Sequence, residues 1–95
     1  MSQKTTSKPR TGKKPHVSLE DMFQVILHND DHNTMEHVIA ALMQVFGHSA
    51  HLAFKIMKEA HLKGKAVADV EPETEAKLHR DQLQSLSLTS TVEKI

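Results

Sequence analysis

Met22-Phe23-Gln24-Val25-Ile26-Leu27-His28-Asn29-Asp30-Asp31-His32-Asn33-Thr34-Met35-Glu36-His37-Val38-Ile39 holds a change of period that fixes the fold. Met22 to Leu27 is a short apolar run with aromatic and β-branched residues, and turn-formers follow it, so it predicts a buried strand. Asn29 to Asn33 has the composition of a loop. Asn33-Thr34-Met35-Glu36 reads as a capping box, with Asn33 as cap and Glu36 reaching back to it. Val38, Ile39, Leu42, Val45 and Phe46 then repeat at helical spacing, and Gly47 closes the helix.

The downstream residues alternate between helix and strand signals. Ser49 caps a second helix whose apolar stripe is Leu52, Ala53, Ile56, Met57 and Ala60. Lys63-Gly64-Lys65 ends it, with Gly64 at the left-handed position and the lysines placed to complement the dipole. Ala66 to Val70 predicts a second strand. Pro72 to Leu83 predicts a third, more polar helix with Pro72 in its first turn. Leu86, Leu88, Ser90 and Val92 alternate with polar residues and predict a final amphipathic strand. The order is β-α-α-β-α-β, an α+β domain in which a three-stranded antiparallel sheet packs on helices.

Ninety-five residues make one small domain with no room for a cofactor domain, and no cofactor is expected. There is no cysteine, hence neither disulfide nor thiol chemistry, which fits a reducing cytoplasm. No apolar run approaches the ~20 residues of a membrane span, so no membrane partner is expected. The start of the chain lacks the apolar core of a signal peptide and is a weak match to an organelle transit peptide.

A net charge of zero hides a split. Residues 1–19 carry Lys4, Lys8, Arg10, Lys13 and Lys14 and no acid, and are expected to form a disordered basic extension ahead of a core domain over 20–95. The core holds seven lysines and arginines against twelve acids, a net of −5. That surplus argues against nucleic acid as its partner.

Asn29, Asp30 and Asp31 have two readings. Asx residues at a strand-to-helix turn satisfy backbone groups and complement the helix dipole. Three in a row exceed that need, because Asn33 already serves as cap, and their surplus oxygens then stand on the loop surface as acceptors. An amide and two carboxylates at the mouth of an apolar groove suit a small cation that carries a hydrophobic side chain, and a free peptide N-terminus is such a guest. His61 reads either as a half-buried histidine bonded locally near a helix end, or as an acceptor for a bound ammonium. Met35, Val38, Met57 and Leu88 read as core or as pocket wall, and methionine suits a cavity that takes several shapes. The eight histidines match no zinc-ligand spacing, and no metal site is expected. No nucleophile elbow, phosphate loop or Cys–His pair is present, so an enzyme is not expected.

The run Val25 to Ile39 resembles the signature of ClpS, the adaptor of the ATP-dependent Clp protease. Ala60-His61-Leu62-Lys63-Gly64-Lys65-Ala66 resembles that family's second helix and its turn, and Leu88 to Glu93 its last strand. The resemblance covers about residues 22–94. It implies delivery of proteins with a destabilising N-terminal residue (Leu, Phe, Trp or Tyr) to a Clp unfoldase. Carried over by position, Asn29, Asp30 and His61 would hold the α-amino group of the substrate. Asp31, Asn33 and Thr34 would shape the loop and meet the first backbone groups. Met35 would form the pocket rim, and Val38, Met57, Ala60 and Leu88 its wall. The implied partners are substrate N-termini and the N-terminal domain of a ClpA- or ClpC-like AAA+ unfoldase, with the adaptor a monomer. A rival reading is a ribosome- or nucleic-acid-associated module that works through the basic extension, which steep salt dependence of RNA binding would favour.

Overall fold

Strand β1 (Met22–His28) buries three successive residues, Val25, Ile26 and Leu27. A strand can do so only in the middle of a sheet. The structure, a computed structural model, describes residues 21–95, so the basic extension lies outside the described residues. After β1 come α1 (Met35–Phe46), α2 (Ala50–Lys63), β2 (Lys65–Pro72), α3 (Glu73–Ser85) and β3 (Ser90–Lys94). Among the described residues the sheet has three strands in the order β2-β1-β3, and both pairings are antiparallel.

Val25 and Leu27 face the helices and join Leu42, Ile56, Ala60, Leu83 and Leu88 in one core. The register along β1 and β2 shifts between Val25 and Ile26, which leaves Ala68 as a bulge residue. The carbonyl freed there accepts a hydrogen bond from the His48 ring at 2.7 Å. His48 stacks on Phe46, and Phe46 meets His79 edge-on, which fastens the α1–α2 turn over β2 and α3.

The helix ends follow capping chemistry, with three departures from expectation. Thr34, not Asn33, caps α1, its hydroxyl accepting from the His37 N–H at 3.1 Å. The capping box therefore does not form, and Asn33 serves elsewhere. Pro72 ends β2 and sits at the cap of α3 rather than in its first turn, and it has no side chain that can cap. The last strand begins at Ser90, not at Leu86. The intervening residues wind into a Schellman turn: Leu88 N–H donates to the Leu83 carbonyl at 3.0 Å and Ser87 N–H to the Gln84 carbonyl at 2.9 Å. Ser87 occupies the left-handed position at φ 73°, where glycine is usual. Leu83 and Leu88 are both buried, supplying the apolar pair that accompanies this motif. Gly47 and Gly64 close α1 and α2 in the ordinary way. Among the described residues no helix is long and apolar enough to cross a membrane.

Candidate functional site

The end of β1, the loop Asn29 to Asn33, the start of α1, the last turns of α2 and the turn before β3 enclose a cavity of about 210 Å³. Its buried lining comes from Leu27 on β1, Met57 and Ala60 on α2, and Leu88, each no more than 6% exposed. Val38 lines the α1 side, and Met35, the first residue of α1, is half exposed at the opening. Asn29, Asp30, Asp31 and Asn33 line it from the loop, and His61 does so from the last turn of α2. Apolar wall and acidic loop are thus two parts of one concavity.

Two main-chain bonds hold the loop at its root. Asn29 N–H donates to the Gly64 carbonyl, and His28 N–H to the Thr89 carbonyl, each at 2.9 Å. The loop thereby spans the α2–β2 turn on one side and the turn before β3 on the other.

Asp30 departs from the picture of surplus surface acceptors. Its Oδ1 accepts from the N–H groups of His32 and Asn33 at 3.0 and 3.2 Å. The Asn33 amide donates to both carboxylate oxygens, at 3.1 and 3.2 Å, and to the Ser87 carbonyl at 2.8 Å. The Thr89 hydroxyl donates to Oδ2 at 3.4 Å. Partial burial opposes the charge, but these donors outweigh it and hold the carboxyl below the ordinary aspartate range. Asp30 is therefore a fixed anion, with Oδ2 the less occupied oxygen. Asp31, Asn29 and His61 are exposed at the mouth, and His61 is not the half-buried residue of the local reading. Among the described residues, the Asn29 side chain and the His61 ring have no partner in the protein.

Thr34 alone of the sequence-identified positions lies outside the cavity lining, because its hydroxyl caps α1. Leu27 and His28 also line the cavity and were missed from sequence. Leu27 was legible only as core. The His28 ring turns to the Thr91 hydroxyl at 2.7 Å, which ties the end of β1 to β3. His37 carries a further tie, its ring donating to the Leu86 carbonyl at 2.7 Å. Among the described residues no three histidines or acids gather as a metal would require. The arrangement can bind a small cation with an apolar side chain: the anion and its neighbours take the charge, and the cavity takes the side chain.

Comparison with known proteins identifies the family. The sequence profile of the family described as ATP-dependent Clp protease adaptor protein ClpS matches residues 18–91. The Clp protease adapter ClpS of Synechococcus elongatus is 38% identical over 97 aligned positions, covering 98% of this chain and 97% of its own. The chloroplastic adapter of Arabidopsis thaliana is 43% identical over 72 positions, covering 75% of this chain and 45% of that longer protein. In three dimensions the chain is similar to Agrobacterium tumefaciens ClpS2 bound to L-phenylalaninamide, with a TM-score of 0.70 and 29% identity over 80% of this chain and 99% of that one. On fold, on profile and on identity across nearly the whole sequence, this chain belongs to the ClpS family of ATP-dependent Clp protease adaptors.

Proposed function

We propose that this adaptor binds proteins through a free hydrophobic N-terminal residue (Leu, Phe, Trp or Tyr) and hands them to the N-terminal domain of a ClpA- or ClpC-like AAA+ unfoldase. The observation that carries the reading is the joining of a fixed carboxylate to a cavity of about 210 Å³. An apolar cavity of roughly 150 Å³ already holds a benzene ring, so the space suits an aromatic or leucine side chain. The Agrobacterium relative, with its bound phenylalaninamide, carries a ligand of this kind.

The division of labour follows from the chemistry. An α-amino group has a pKa near ~7.7–8.0 and is mostly charged at neutral pH. Asn29 offers its amide oxygen, Asp30 its Oδ2 and His61 a ring nitrogen to that ammonium. Asp31 adds negative potential, and it shares with Asn33 and Thr34 the shaping of the loop beside the first backbone groups. Met35 forms the rim; Val38, Met57, Ala60 and Leu88 form the wall. Each charge-assisted hydrogen bond contributes about 1.5–3 kcal/mol, and burial of the side chain about 1.5–3 kcal/mol. Two such bonds with the side chain give on the order of 5–9 kcal/mol before the cost of association, which places binding near micromolar at best. Neither half is enough alone, so recognition requires an amine and a fitting side chain together.

The protein acts by binding, without bond-making of its own, and as a monomer. The absence of cysteine suits a reducing compartment, and we place its work in the cytoplasm. Blocking the amine tests the reading. A Phe-initiated peptide is expected to bind in fluorescence anisotropy, while its N-acetylated form, stripped of charge and donors, loses at least 100-fold in affinity. Equal affinity of the two forms overturns the proposal.

A further inference from the structure

Asn33 and the Schellman turn ahead of β3 meet at the acidic loop. Asn33 lost the capping role to Thr34. Its side-chain amide instead donates to Asp30 Oδ1 and Oδ2 and to the Ser87 carbonyl at 2.8 Å. An amide NH₂ has two hydrogens, so these three contacts use its donor capacity in full. Ser87 is the one non-glycine residue with positive φ among the described residues. A left-handed serine is an uncommon backbone state, of the sort found where surroundings over-determine it. Its carbonyl is the one Asn33 holds. The next residue, Leu88, is buried in the cavity wall, and the one after, Thr89, donates to Asp30 Oδ2 at 3.4 Å. One turn therefore supplies an apolar wall residue, a carbonyl anchor for the loop and a hydroxyl for the carboxylate.

We propose that Asn33, assisted by Thr89, is a positioning residue that locks Asp30 to the turn carrying Leu88, so that the ammonium-binding and side-chain-binding halves of the site keep a fixed separation. This rests on the reading of the cavity as an N-terminal-residue site. Its consequence is that the Asn33 amide nitrogen has no donor left for the substrate and serves the ammonium through Asp30. The two donors aim at the charged form of the carboxyl, so their removal weakens binding and also raises the pH at which the carboxyl takes up its proton. The other titratable groups around Asp30 are its loop neighbours Asp31 and His32 and, on the same cavity lining, His28 and His61; the turn itself contributes none. All four are common to every variant compared, so a difference between the profiles reports on the altered donor.

The test measures affinity for a Phe-initiated peptide between pH 2.5 and 8 for the full chain and for Asn33→Leu, Thr89→Val and Thr89→Ser, with folding followed by circular dichroism at each pH. Thr89 is exposed, so its variants probe the lock even where Asn33→Leu disturbs folding. The proposal expects roughly tenfold weaker binding for Asn33→Leu at pH 7 and about threefold for Thr89→Val, with the acid limb of both profiles moved to higher pH and Thr89→Ser restored to wild-type behaviour. Unchanged affinity in both Asn33→Leu and Thr89→Val overturns it. So does weakened binding with an unmoved acid limb, which marks a merely structural effect. A wild-type protein with no preference for the free amine over its acetylated form instead removes the underlying reading, and is told apart because it appears before any substitution.

Discussion

On the proposed function, Met35 is the residue expected to decide selectivity among hydrophobic N-termini. As the first residue of α1 it is half exposed, so its thioether overhangs the cavity mouth rather than filling the core. A side chain that passes it is then expected to be slim at Cβ, as Leu and Phe are and Ile and Val are not. Met35→Ala removes the overhang with little change in helix propensity. The variant is expected to bind Ile- and Val-initiated peptides at least tenfold better than the parent does, with Leu and Phe affinities altered by less than threefold. A peptide panel read by anisotropy checks this, and unchanged selectivity contradicts it. Residue identity at the mouth was legible in sequence because an amide and two carboxylates beside an apolar run are chemically conspicuous. The direction in which Asp30 points was not. Its oxygens turn inward toward Asn33 and Thr89, and Thr89 lies 59 positions away, beyond the reach of any local pattern.

The turns between helices and strands set where those residues stand. Gly64 ends α2 at φ 93°, and its carbonyl accepts the Asn29 N–H. A Cβ added there meets nothing within 4 Å, so replacement costs only conformation. Gly64→Ala is expected to lower stability by about 1–2 kcal/mol, the penalty of a left-handed L-residue. Ser87→Gly relieves the same penalty and shifts stability upward by up to ~1 kcal/mol. Urea denaturation of the two variants checks the opposite signs; shifts of the same sign contradict the account. Both glycine helix ends and the Ser49 cap were readable, since each uses a residue type favoured at its position. The end of α3 was not. A serine in the glycine position hides the Schellman turn, and Leu86-Ser87-Leu88 alternates as a strand would. The start of α1 misled for a similar reason: Asn33 and Thr34 are adjacent cap-formers, and only the competing demand of Asp30 and Ser87 on Asn33 leaves the cap to Thr34.

Charge divides the whole chain into a basic stretch and an acidic domain. The lining described for the cavity comes from the domain, so residues 1–19, taken as a basic extension, are expected to serve hand-over to the unfoldase and not capture of the substrate. A chain that starts at Val17 should hold Phe-initiated peptides with affinity within twofold of the full chain, yet fail to speed their degradation by a Clp machine reconstituted with it. Loss of peptide affinity on truncation contradicts this division. The order of elements and the antiparallel sheet were legible because the apolar period differs between successive elements. The strand order β2-β1-β3 follows from the buried run in β1, which needs a neighbour on each side. The bulge at Ala68 and its His48 bond were not legible, since both arise from contacts between distant segments.

The central claim is that one concavity reads charge and side chain together, and a titration of isotopically labelled protein by L-phenylalaninamide, followed by amide NMR shifts, tests it most directly. The account predicts shifts concentrated at Asn29 to Met35, at Met57 to His61 and at Ser87 to Thr89, and almost none with the N-acetylated ligand. Shifts centred elsewhere on the fold, or the same shifts from the acetylated compound, would contradict it.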